Sequence, residues 1–168
     1  RKLRDEGVAV DLHLHGRIPP ELGGETDLLQ RSGLVLEGGV PHRQAADALS
    51  RYDYVLVLLS DLPNSKVVMS IKLPQYFLAG KPILALVPGS SAIADIVRGT
   101  GTGHVIATDG DWQTELAEFL RRRQKPLVER NEAEIEEFSW DRLSNRWVAA
   151  ITGDAEALTT PAQAPVEA

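Results

Sequence analysis

The sequence predicts an α/β protein of Rossmann-like type, with a mostly parallel sheet and helices on both faces, and three observations carry that expectation. Short apolar runs alternate with helix-like segments along the chain, and strands joined by single helices pair in parallel through right-handed crossovers. The run Tyr54-Val55-Leu56-Val57-Leu58-Leu59 has no polar alternation, as expected of a strand covered on both faces. The stretch from Ile71 to Leu86 holds a helix start, a glycine stop at Gly80 and a buried strand.

In chain order, Arg1 to Glu6 reads as the end of a helix stopped by Gly7. Val8 to Leu14 follows as a half-exposed strand, with Val8, Val10, Leu12 and Leu14 on one face and Asp11 and His13 on the other. Leu34-Val35-Leu36 is a short second strand, a helix runs from about His42 to Arg51, and Tyr54 to Leu59 is the third strand. A loop from Ser60 to Ser70 leads to a helix whose first turn carries Pro74, a residue tolerated there because the amide it removes has no intrahelical partner. Pro82 to Val87 is the fourth strand, Ser90 or Ser91 caps the helix after it, and His104 to Ala107 is a weaker fifth strand. Asp111 caps the next helix, Asn131 with Glu134 forms a capping-box pattern, and Ser139 starts a last helix with Trp140, Leu143, Trp147 and Ile151 along one face. Beyond Gly153 the composition turns to Ala, Thr, Pro, Gln and Glu, which predicts a flexible tail over 153–168 after one domain over 1–152.

Composition bounds the function. The chain has 168 residues and a formal charge of −6, which gives no general electrostatic reason to bind nucleic acid. Its basic run, Arg121-Arg122-Arg123, closes a helix, where cations favour the exposed carbonyls. No cysteine is present, so disulfides, thiolate metal sites and cysteine nucleophiles are excluded, in keeping with a reducing, cytoplasmic setting. No apolar stretch approaches the length of a membrane-spanning helix, and no signal-peptide pattern opens the chain.

The residues Lys72-Leu73-Pro74-Gln75-Tyr76-Phe77-Leu78-Ala79-Gly80-Lys81-Pro82, followed by a strand and later by Gly99-Thr100-Gly101-Thr102-Gly103, carry a family resemblance. With Gly39-Val40-Pro41-His42, Tyr52-Asp53-Tyr54-Val55-Leu56 and Phe138-Ser139-Trp140 in consistent order, the chain resembles the carboxyl-terminal, nucleotide-sugar-binding domain of family-4-like glycosyltransferases of the GT-B fold. The match spans about residues 1 to 151 and lacks one residue between Ala79 and Gly80 relative to the family pattern. It implies that a first central strand, a basic loop and a whole amino-terminal Rossmann domain belong to the protein but not to this sequence.

The resemblance implies transfer of a sugar from a nucleotide-diphosphate donor to a glycan or lipid-linked acceptor, without a metal or other cofactor, as in polysaccharide biosynthesis. Its partners would be the donor, the acceptor and the missing amino-terminal domain, through which the protein would meet the cytoplasmic face of a membrane. The helix start at Ser70, Ile71 and Lys72 would hold the diphosphate with amides, dipole and ammonium. Val40 and Pro41 would lie under the base, and Gly16 would let the backbone approach the ligand. Gln75 stands where the family places a glutamate that binds the ribose, and an amide oxygen accepts one such bond without charge. The partner glutamate, eight residues earlier, is here Val67. No residue is assigned as catalytic, and the isolated piece is expected to be inactive.

Bland alternatives stand beside these assignments. Lys72 also fits a solvated lysine at a helix start, Gly16 a plain strand end, and Val40 and Pro41 a turn. Asp61, closing the third strand, fits a binding carboxylate or an ordinary loop cap. His13 and His15 alternate on one strand face as metal ligands do, but no third histidine stands near them in sequence. A phosphoacceptor receiver also pairs a strand-end aspartate with Lys-Pro, as Asp61 and Lys81-Pro82 do here, but in the wrong order. A non-catalytic nucleotide-sugar-binding or interaction module of the same fold remains the rival reading.

Overall fold

The computed structural model describes residues 6–16, 31, 33–60, 64, 67–122 and 129–153. Its elements run β1 (Leu12–His15), β2 (Leu34–Gly38), a 3-10 turn (His42–Gln44), α1 (Ala45–Leu49), β3 (Val55–Leu58), α2 (Leu73–Ala79), β4 (Ile83–Val87), α3 (Ala92–Gly99), β5 (Gly103–Ala107), α4 (Trp112–Arg122), α5 (Glu132–Glu136) and α6 (Trp140–Thr152). Every strand pairing is parallel. The chain is therefore an α/β protein built from β-α-β units in a Rossmann-like arrangement, as its alternating pattern predicts. The strands fall into two sheets, a pair β1-β2 and a triple β3-β4-β5.

The triple sheet is the centre of the molecule. β4 is buried along its whole length, and its side chains divide by the two-residue period. Ile83, Ala85 and Val87 join Val55 and Val57 beneath α2 and α3, where Leu73, Tyr76, Phe77, Ile93, Ala94 and Val97 complete the larger core. Leu84 and Leu86 join Ile106 on the opposite face, covered by Trp112, Leu116 and Phe119 of α4. Helices thus lie on both faces of this sheet, each held by a stripe of apolar residues.

The helix ends follow the chain's capping chemistry. Ser91, fully buried, accepts from the Ala94 amide at 3.2 Å and starts α3. Asn131 and Ser139 do the same for α5 and α6 at 3.3 Å, and the Asp111 carboxylate accepts from the Thr114 amide at the start of α4. Gly80 ends α2 in the left-handed conformation, with φ 65°, which a glycine adopts without a Cβ penalty.

Three expectations are corrected. β3 is covered on one face only at its carboxyl end, where Leu58 is 64% exposed. In β1 the apolar side is the more open one, with Leu12 and Leu14 46% and 42% exposed, while His13 and His15 turn inward towards Tyr52. The segment from His42 is a 3-10 turn running into a five-residue α-helix that ends at Leu49, before Arg51. Trp140, Trp147 and Ile151 do share a face of α6, and that face is exposed. The expectations for Arg1 to Asp5, for Asp61 and for the tail after Gly153 lie outside the described residues.

Candidate functional site

In parallel α/β folds, ligands gather where strands end and helices begin. Two such joints come together here. α1 precedes β3 and α2 follows it, so both helices start towards the carboxyl end of that strand, and they pack against each other. The loop Gly39-Val40-Pro41 enters the first helix, and Ser70-Ile71-Lys72 enters the second.

Val40 and Pro41 line an open cavity of about 430 Å³, together with Gly39, Gln44, Asp47, Ala48 and Arg51. Pro41 is extended, with ψ 139°, and its carbonyl accepts from the Gln44 amide at 2.8 Å. That bond turns the chain sharply from loop into helix. Asp47 and Ala48 belong to α1, while Gln44 precedes it and Arg51 lies beyond its end, and all four line the cavity. None of these four was singled out by the sequence reading, which reached only the loop Gly39-Val40-Pro41 before them.

At the second joint, Lys72 sits at the N-cap of α2 with helical backbone angles and no side-chain cap of its own. Ser70 takes two amides there: its hydroxyl accepts from the Lys72 N–H at 3.3 Å, and its carbonyl from the Leu73 N–H at 3.1 Å. A phosphate approaching this turn would compete with the Ser70 hydroxyl for the Lys72 amide. Ile71 projects into solvent and Gln75 is half-buried in the first turn. Val67 is 79% exposed.

Gly16 lies at the end of β1, where its amide donates to the Gly38 carbonyl at 2.8 Å. Its φ of 141° falls in the region that favours glycine, and a Cβ there would meet nothing within 4 Å. The residue is thus needed for its backbone angle, and the space beside it is open. Next to it, His15 Nε2 and the Tyr52 hydroxyl lie 2.8 Å apart, and His13 Nδ1 meets the Glu37 carboxylate at 2.7 Å. Burial, then repulsion from Glu37, raises the Tyr52 pKa, with Arg51 opposing them, so the phenol stays protonated at neutral pH. The two histidines therefore serve side-chain contacts. Among the described residues no group of three or more His, Cys, Asp or Glu is placed to hold a metal ion.

The glycine run 99–103 lies at the opposite end of the sheet, leading into the start of β5. A Cβ on Gly103 would fall 1.9 Å from the Ile83 carbonyl oxygen, and one on Gly101 would fall 2.1 Å from the Glu129 carbonyl oxygen. Thr100 and Thr102, both buried, join their hydroxyls at 2.8 Å. This run closes a tight turn and contributes nothing to the joint between α1 and α2.

No protein-family model and no curated protein matches this chain. Among the described residues no helix is long and apolar enough to cross a membrane.

Proposed function

We propose that this chain is the donor-side domain of a glycosyltransferase, binding a nucleotide-diphosphate sugar for transfer to a glycan or lipid-linked acceptor. The observation that carries the reading is the packing of α1 against α2, which gathers the loop Gly39-Val40-Pro41, its cavity and the Ser70-Ile71-Lys72 turn at one end of the fold.

In this reading the base rests on Val40 and Pro41, and the diphosphate meets the amides and ammonium at Ser70, Ile71 and Lys72. Gln75 accepts from a ribose hydroxyl, and Gly16 borders the sugar side. As the bond from the sugar to the diphosphate breaks, negative charge grows on the leaving phosphates. Donors already fixed at the helix start stabilise that charge without reorganising. The remaining basic groups and the acceptor site would come from the amino-terminal half of the cleft.

A second reading, a nucleotide-sugar-binding or interaction module without catalysis, is favoured by one observation: Gln75 and Val67 stand where the family has its two glutamates. Calorimetric titration of the chain with uridine and guanosine diphosphates tests what both readings share. Binding that weakens in Lys72→Ala supports the donor site, and no binding of either nucleotide refutes it. Sugar transfer by a longer protein containing this domain then separates enzyme from module.

A further inference from the structure

The donor reading leaves the base open, and the cavity beside Val40 and Pro41 carries information about it. Three polar side chains, Gln44, Asp47 and Arg51, line that cavity beside Ala48, Asp47 from α1 and the other two from the residues that flank it. Each retains unused hydrogen-bonding capacity. Among the described residues neither the Asp47 carboxylate nor the Gln44 amide has a partner, and Arg51 uses only its Nε, donating to the Ala48 carbonyl at 3.4 Å. Asp47 and Arg51 stand four residues apart, Arg51 beyond the end of α1 at Leu49, and they form no ion pair with each other. An open cavity lined by Val40, Pro41 and Ala48 together with unspent polar groups fits a flat ligand read along its edge.

Resting on the donor reading, we infer that this cavity selects guanine, with Asp47 and Arg51 as the residues that determine the base. A carboxylate offers only acceptors and a guanidinium only donors. Guanine presents two adjacent N–H groups, on N1 and on the 2-amino nitrogen, that match the two carboxylate oxygens, and beside them the O6 and N7 acceptors that match an arginine fork. Uracil offers one N–H between two carbonyls, so a carboxylate facing it meets like charge on either side. Adenine places the unprotonated N1 beside its amino group, which again sets an acceptor against the carboxylate. Guanine is the base that satisfies both side chains at once, and Gln44 can donate to O6 from the same wall. The ordinary structural role of Asp47, an acid in the first turn of α1 favoured by the helix dipole, requires neither the cavity nor the unpaired arginine four residues on.

The test is calorimetric titration of the 168-residue chain with GDP, UDP and ADP, beside Asp47→Asn, Arg51→Lys and Lys72→Ala. GDP is expected to bind at least about tenfold more tightly than UDP or ADP, as a bidentate base contact implies. Asp47→Asn should erase that preference by weakening GDP while UDP binds as well as before or better, since the like charge facing its carbonyls is gone, and Arg51→Lys, which keeps the charge and loses the fork, should reduce it. Lys72→Ala should weaken GDP and UDP by the same factor. UDP or ADP binding as tightly as GDP, or an unchanged preference in Asp47→Asn, overturns the guanine assignment and leaves the donor reading standing. Failure of all three nucleotides to bind overturns the donor reading and this inference with it. Asp47 and Arg51 are exposed, and circular dichroism of each variant verifies that the fold is retained.

Discussion

The Tyr76 hydroxyl donates to the Leu56 carbonyl at 3.1 Å, tying the first helix of the larger core to β3. In the parallel pair, Val55 and Leu59 send their amides towards β4, so the alternate residue Leu56 turns its peptide groups to the other edge. Tyr76 thus satisfies a carbonyl at an edge that has no neighbouring strand among the described residues. It also fixes α2 against that edge, and Lys72 sits one turn before Tyr76, whose amide donates to the Lys72 carbonyl.

Tyr76→Phe should therefore cost about 1 kcal/mol, the usual net value of one such bond, read from urea unfolding at neutral pH. Burial raises the pKa of this phenol above its ordinary value of 10.0. The folded state then holds the proton more tightly than the unfolded state. Its contribution is complete below pH 10 and is lost as pH rises through the folded-state pKa. The wild-type protein should lose stability on this limb and Tyr76→Phe should lose less, so parallel pH profiles would refute the argument.

Ser91→Ala should cost about 1–2 kcal/mol, at the upper end for an N-cap. The hydroxyl is fully buried, and its removal leaves the Ala94 amide without its acceptor in a site that excludes water. Ser91→Asp, which restores an acceptor at the cap but adds buried charge, should not recover the loss. The check is the urea midpoint of both variants.

Two glycines that flank one turn, Gly99 at the end of α3 and Gly103 at the start of β5, should respond differently. Gly103→Ala places a methyl group 1.9 Å from the Ile83 carbonyl oxygen, and that atom belongs to a central strand that cannot move aside. We expect a loss of about 3 kcal/mol or more, beyond ordinary overpacking. Gly99 ends α3 with nothing within 4 Å of an added Cβ, so Gly99→Ala should be neutral or stabilise by about 0.4–1 kcal/mol through the unfolded chain. Thermal unfolding of the pair distinguishes a turn closed by packing from one that is merely flexible.

The triple sheet and its helices were legible because several signals agree there. β4 is uniformly apolar, Gly80 follows a helical stripe, and Ser91, Asn131 and Ser139 each precede one. What could not be read was which side of an amphipathic element meets the core. A two-residue period says that Leu12 and Leu14 share a face, and a helical period says the same of Trp140, Trp147 and Ile151. Neither says that a partner covers that face, and in this structure both faces are open. The candidate site divides in the same way. The motif pointed to Val40, Pro41 and Lys72, whereas Gln44, Asp47 and Arg51 gain meaning only once a cavity lies beside them.

Ser70 offers the sharpest test of how the helix start would receive a phosphate. Its hydroxyl already accepts from the Lys72 amide, so in the free protein it fills a position that a phosphate oxygen would take. If binding displaces it, Ser70→Ala frees that amide and should leave GDP affinity unchanged or raise it a few-fold. If the hydroxyl instead turns to donate to the phosphate, the same variant should weaken binding by about tenfold or more, the value of a hydrogen bond to a charged group. Lys72→Ala should weaken binding in either case, about tenfold, through loss of a charge-assisted contact. Both variants should keep urea midpoints equivalent to within about 0.5 kcal/mol of wild type, as expected for exposed or half-exposed polar positions away from the core. A Lys72→Ala protein that binds GDP as tightly as wild type would remove the helix start from the donor site.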